Sequence, residues 1–177
     1  MHLDRRIKMA LTQQQVQELF EYRDGDLHWK LRPVNLLRYG TIAGYKNTKD
    51  SYWRVVIKGT MYLKHRLVFL YHNGYLPKFI DHINGNREDN RIENLRVASR
   101  SENNHNATLP CHNTSGIKGV SKKPKEKNWT CSLRTNKKLK TVGGFSTKEL
   151  AQEFMELWRE MAHGQFANHG YQKGVLA

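Results

Sequence analysis

Residues 80–106 read IDHINGNREDNRIENLRVASRSENNHN, and more follows from this stretch than from any other part of the chain. Phe79, Ile80, Asp81, His82 and Ile83 read as a short strand that carries an acid and an imidazole side by side. A polar loop, NGNREDNRIE, follows, and Leu95-Arg96-Val97 reads as a second short strand. Ser99 with Glu102 three positions on is a capping box, which predicts a helix from Ser99 to Asn106. The stretch also holds seven asparagines. Asparagine forms neither helices nor strands well, so seven in one place need a reason. Turn-making is one, as at Asn84-Gly85; oxygen ligation of a hard cation such as Mg²⁺ is another. A carboxylate beside an imidazole suits phosphodiester hydrolysis, the acid holding a metal and the ring taking a proton from water. Neighbours on a strand point to opposite faces, so Asp81 and His82 must act from two sides unless the strand bends.

Working outward, residues 64–73 (KHRLVFLYHN) predict a helix with Leu67, Val68 and Leu70 toward the core and Gly74 as its stop. His65 reads as a helix-surface residue, and Arg66 as a candidate to reach a phosphate. Further upstream, Thr12 with Gln15 opens a short helix through Val16, Leu19 and Phe20, and Asp24-Gly25 marks a turn. Alternating stretches at 27–29, 52–57 and 61–63 read as strands, the last two joined as a hairpin at Gly59-Thr60. Met1 to Lys8 reads as an extension ahead of a start at Met9. Downstream, residues 107–115 carry Pro110 and read as a linker. Ile117–Val120, Trp129–Leu133 and Lys140–Val142 follow as three short strands. Ser146 with Glu149 then caps a helix to about Ala162, with Leu150, Phe154, Leu157, Trp158 and Met161 as its apolar face.

The chain has 177 residues and a formal net charge of +14. No run approaches the roughly 18 apolar residues of a membrane span. No signal peptide shows, and two cysteines are too few for a disulfide scaffold, which points to a cytoplasmic protein. Cys111 with His112 lacks the partners of a zinc site. Such a charge implies a nucleic-acid partner. Residues 1–110 carry 18 basic and 11 acidic groups and residues 111–177 carry 12 and 5, so each part nets +7 and the shorter second part is denser. Residues 81–102 differ from both, with five acids against four bases. A surface that only grips DNA does not collect carboxylates; a metal site inside a basic protein does.

The pattern DHxNGxxxDNRxxNLR followed by ENxxN, with KHRLVFLYHNGYLP ahead of it, resembles the HNH endonucleases of the phage and intron-encoded homing type. The resemblance implies a ββα-metal core in which His82 is the general base. It implies that Asp81 and Asn103 bind one divalent cation, Mg²⁺ or alternatively Mn²⁺, and that Asn94 holds His82 in place across the loop. His105 and Asn106 are the alternative last ligands if the helix is phased otherwise. Residues 115–168 resemble an APETALA-type (ethylene-response-factor-like) DNA-binding domain. That resemblance implies a three-stranded sheet in the major groove, with Lys118, Lys122, Trp129, Arg134 and Lys140 as its contacts. Lysines stand where plant members often have arginines. They position on phosphate but lack the fork that reads guanine.

The expectation is an α+β protein. Residues 9–106 form the nuclease domain, with a small N-terminal sheet and a core at about 78–106. Residues 107–115 are a linker, and residues 116–170 are a three-stranded antiparallel sheet packed on one helix. Its partner is double-stranded DNA, acted on as monomer or homodimer in a bacterial host cytoplasm, with no membrane. The competing reading is a non-catalytic DNA-binding or regulatory protein with a degenerate core.

Overall fold

Thr12 and Gln15 close the capping box: the Gln15 N–H donates to Thr12 Oγ1 at 3.2 Å and the Thr12 N–H to Gln15 Oε1 at 3.0 Å. They start helix α1 (Gln13–Leu19) in a computed structural model that describes residues 11–30, 40–107, 109 and 112–170. The Met1–Lys8 extension and the linker positions Pro110 and Cys111 lie outside those residues. The first helix stops one residue earlier than its apolar spacing suggests. Phe20 begins strand β1 (Phe20–Arg23), which pairs antiparallel with β2 (Asp26–Trp29). Asp24 and Gly25 both take positive φ, 54° and 79°, the two-residue turn whose twist matches a hairpin. That turn sets Phe20 opposite Trp29, where the two rings pack at 4.6 Å.

The next sheet has the order β3 (Tyr45–Lys46), β4 (Trp53–Ile57), β5 (Thr60–Leu63), antiparallel throughout. Its hairpin turns at Lys58-Gly59, at φ 47° and 75°, one residue ahead of the expected position, because Ile57 pairs with Thr60. Helix α2 (Lys64–Asn73) has the expected bounds, and Gly74 ends it at φ 76° with its N–H on Leu70 O. Strands β6 (Ile80–His82) and β7 (Leu95–Val97) pair antiparallel, Asp81 facing Arg96 and His82 facing Leu95. The loop between them carries a 3-10 turn at Ile92–Asn94. One apolar core joins Val16, Phe20, Leu27, Val55, Leu67, Val68, Ile80 and Leu95.

By packing, the chain divides into two units, Met1–His82 with Asn86–Val97, and Ile83–Gly85 with Ala98–Ala177. The division falls at Val97/Ala98 instead of beyond Asn106, so helix α3 (Arg100–His105) packs with the C-terminal segment. Its N-cap is Ser99, boxed with Glu102 as expected. Within the expected linker, the Asn113 side chain accepts from Gly116 N at 2.6 Å, and Ser115 Oγ donates to Val120 O at 2.6 Å. A small hydrogen-bonded knot thus leads into the sheet.

That sheet has the order β10 (Lys138–Phe145), β9 (Trp129–Thr135), β8 (Val120–Ser121), antiparallel, with helix α4 (Lys148–His163) against one side. The architecture is α+β. Two details of α4 differ from the sequence reading. Its N-cap is Thr147, whose hydroxyl accepts from Leu150 N at 3.2 Å, so Glu149 sits one place too early to close a box with it. Its buried positions are Ala151, Met155 and Arg159, with Phe154 and Trp158 partly covered, while Leu157 and Met161 are 63% and 88% exposed. Close approach sets that face: Cys131 Sγ reaches Ala151 O at 3.2 Å, which only a small residue permits.

Candidate active site

The β6–β7 ladder places polar groups where water does not reach. Asp81 is 4% exposed and His82 5% exposed, although they are neighbours on a strand: both faces of β6 are covered. A buried carboxylate needs a charged partner. Arg96, directly opposite, supplies it: its Nε donates to Asp81 Oδ2 at 2.9 Å, and Nη2 makes an ion pair with the same oxygen at 2.8 Å.

His82 Nε2 lies 3.1 Å from Asn90 Oδ1. The Asn90 amide is oriented from its other end, since Nδ2 donates to Glu88 O at 3.2 Å and a carbonyl accepts only the NH₂ side. Oδ1 therefore faces the imidazole, and Nε2 must be the donor. In that tautomer the lone pair sits on Nδ1. Asn94 is buried one step further out. Its Nδ2 donates to Asp89 O at 2.8 Å, closing the loop on the residue before Asn90. Asn94 thus braces the loop, and Asn90 hydrogen-bonds His82.

A second imidazole lies against the first. His65 is buried, with its ring edge-on to His82 at 5.1 Å and tilted against Tyr52 at 5.3 Å, and Tyr52 itself lies 6.2 Å from His82. The expected surface position is thus corrected: the first turn of α2 faces the interior. Lys64 beside it is fully buried, with its ammonium 2.8 Å from Asp26 Oδ1 and 3.9 Å above the Trp53 ring. Burial pushes His65 down to about 3, helped by the neighbouring His82 and Arg66. Burial also lowers His82, opposed by its bond to Asn90 and by the Asp81 charge. The ring is therefore neutral at physiological pH, the form a base requires.

The remaining site residues fall in several places. Asn103 lies on α3, half-buried, its N–H bonded to Ser99 O at 3.0 Å. The two alternative ligands have other neighbours as well. His105 stacks on His163 at 3.7 Å, and Asn106 is buried against Asn168. The Arg66 guanidinium donates to Pro77 O at 3.0 Å and Lys78 O at 3.4 Å, bracing the approach to β6.

The five expected groove contacts do not share one face. Cys131 and Leu133 point to the helix, so Trp129, in step with them, does too, and it joins that core. Lys140 pairs with Leu133 and takes the helix side, whereas Arg134, paired with Leu139, takes the open side. Lys122 stands 5.6 Å from the Trp129 ring. Lys118 is half-buried, its ammonium donating to the carbonyls of His105 and Asn168 at 2.9 and 3.2 Å and to that of Ala107.

Four contributors escape the sequence: Asn90, Arg96, His65 and Tyr52. Asn90 was one of seven asparagines with nothing to single it out. Arg96 meets Asp81 only through a strand register that linear spacing does not reveal.

Residues 62–105 match the HNH endonuclease family, an interval that holds all of α2, the ladder and α3. Protein 3.8 of Escherichia phage T7 is 36% identical over 97 residues, which cover 54% of this chain and 79% of that protein. An uncharacterized HNH endonuclease of Acanthamoeba polyphaga mimivirus is 32% identical over 139 residues, covering 76% of this chain and 71% of its own length. No solved structure matches. The matched interval is the one that buries the Asp-His pair, and most of each relative's length is spanned; this chain belongs to the HNH endonuclease family.

Proposed function

We propose that the protein is a divalent-metal-dependent endonuclease that hydrolyses phosphodiester bonds in double-stranded DNA, of the homing type. The observation that carries the reading is the buried His82, neutral, with Nε2–H committed to Asn90 and the lone pair on Nδ1. In this reading Nδ1 takes the proton from the attacking water. Asn90 holds the ring and the tautomer, and Asn94 holds the loop that carries Asn90.

Among the described residues no group of three or more His, Cys, Asp or Glu is arranged for a metal. An Asp carboxylate and an Asn amide still fit a hard cation, which takes oxygen donors and keeps most of its waters. Asp81 and Asn103 would hold it, and when bound it would neutralise charge building on the phosphate and the leaving oxygen. Arg96 fixes the Asp81 carboxylate in place.

The C-terminal sheet and α4 form the APETALA-like gripping module in this reading. Arg134, on the open side, and Lys122 remain as phosphate contacts; Lys140 is left out because it takes the helix side, and Lys118 and Trp129 because their side chains are engaged within the fold. One site per chain nicks one strand as a monomer and cuts both only as a homodimer or through a second binding event. No described helix is long and apolar enough to cross a membrane, and the viral relatives support action in a host cytoplasm.

Supercoiled plasmid incubated with the protein and Mg²⁺ or Mn²⁺ tests the reading. Conversion to nicked or linear forms, stopped by EDTA, is expected. Binding with no conversion under either metal would leave a DNA-binding protein with a degenerate core.

A further inference from the structure

Helix α3 has six residues, too few to hold its own shape in water. Its place is therefore set by what fastens its ends. The Ser99–Glu102 box fastens the start. The finish is fastened by two side chains that lie 13 and 62 residues further along the sequence.

The Lys118 ammonium donates to His105 O at 2.9 Å, to Ala107 O, and to Asn168 O at 3.2 Å. The last carbonyls of a helix have no partner within it, and an ammonium answers both their hydrogen-bonding need and their negative end of the dipole. The fully buried Asn168 donates from Nδ2 to Asn106 O at 2.9 Å. Its own Oδ1 accepts from Gly170 N at 2.8 Å, which fixes the amide. Beneath Lys118, the buried Arg159 donates to the Lys118 carbonyl and meets His169 Nδ1 at 3.0 Å. Gly119 follows at φ 77°, where a Cβ would stand 2.8 Å from Ser132 O, so the chain can pass there only without a side chain. The His163 ring, on α4, stacks on His105. Partial burial, then the Arg159 charge, takes Lys118 down to about 8.

We infer that Lys118 and Asn168 are positioning residues for the cleavage reaction: they lock the C-terminal end of the helix that carries Asn103, the ligand of the proposed reading. This rests on the proposed nuclease reading with Asn103 as ligand.

Two measurements on the full-length protein test it. The first needs no cleavage. Amide hydrogen exchange across residues 99–106 should speed up at least about ten-fold in Lys118→Met relative to wild type, as a loosened short helix requires. Unchanged exchange there would overturn the lock, whether or not the protein cuts DNA. The second is single-turnover cleavage at saturating DNA, with the metal titrated. Lys118→Met and Asn168→Leu should each lose roughly ten- to a hundred-fold in rate or in apparent metal affinity, the usual effect of losing a ligand's support. Their affinity for a DNA duplex, measured without metal, should stay near wild type. A weaker duplex affinity with an unchanged saturating rate would make Lys118 a phosphate contact and overturn the inference. Lys118→Gln, which keeps two amide donors, should recover part of the rate and serves if Lys118→Met does not fold.

Discussion

The β6–β7 ladder and the β8–β10 sheet are both small antiparallel structures in a basic protein, yet they treat polar groups in opposite ways. The ladder buries them: Asp81, His82, Asn90 and Asn94 are all nearly inaccessible, and each has a named partner. The sheet exposes them: no residue of β10 is buried, and Arg134 is exposed with Leu139 opposite. Burying a polar group costs free energy unless its bonds are complete, and completed bonds fix its geometry. Chemistry needs that fixity; attraction to a phosphate backbone does not. Local arrangement therefore separates the two proposed roles where net charge, +7 on each side of residue 110, does not.

The largest effect on the ladder side should come from the core beneath it. Leu67→Ala empties a buried position between the strands and α2 and should cost about 2–5 kcal/mol of unfolding free energy in urea titration. A smaller loss would mean that the first unit collapses around the gap and does not hold its site rigidly. Next comes the tautomer. Asn90→Leu should cut the cleavage rate by about ten- to a hundred-fold and abolish the Nε2–H preference of His82, as imidazole ¹⁵N shifts of wild type and variant would show. A normal rate with the tautomer lost would show that base orientation is unimportant.

The sequence reached some of this and not the rest, for physical reasons. Helix α2 and the α3 cap were legible because the cues are local: apolar spacing with a stopping glycine, and Ser99 with Glu102 three residues later. The Asp81–Arg96 pair depends on strand register across 15 positions, and His65 burial depends on what covers the first turn of α2. Neither is local. The α4 face was misread because Leu157 and Met161 are apolar yet unburied, while Arg159 is charged and buried through its bonds. Apolarity marks candidates for burial, and the geometry of the neighbouring sheet selects among them.

Acid should affect both regions, most strongly through one histidine in each. His65 titrates near 3 and His163 near 4 when folded, below the ordinary 6.5. The unfolded chain therefore takes up protons that the fold refuses as pH falls from 6.5 toward 4 and 3. Stability is full above that window and declines through it. The melting temperature should fall steadily between pH 7 and pH 4. His163→Phe and His65→Phe should each flatten part of that slope, and no change in either would remove burial as the cause.

The smallest effect belongs to the exposed sheet. Arg134→Ala should weaken duplex affinity modestly at any sequence and lower the salt-dependence slope by about one. An effect confined to one DNA sequence would make Arg134 a base reader.

The account turns on chemistry being lodged in the ladder and separable from grip. His82→Ala, assayed for Mg²⁺-dependent plasmid cleavage and for duplex binding across a salt series, tests that claim most directly. Loss of cleavage by about 10²–10⁴-fold with an unchanged binding curve is the predicted result. Cleavage at the wild-type rate by His82→Ala would contradict it.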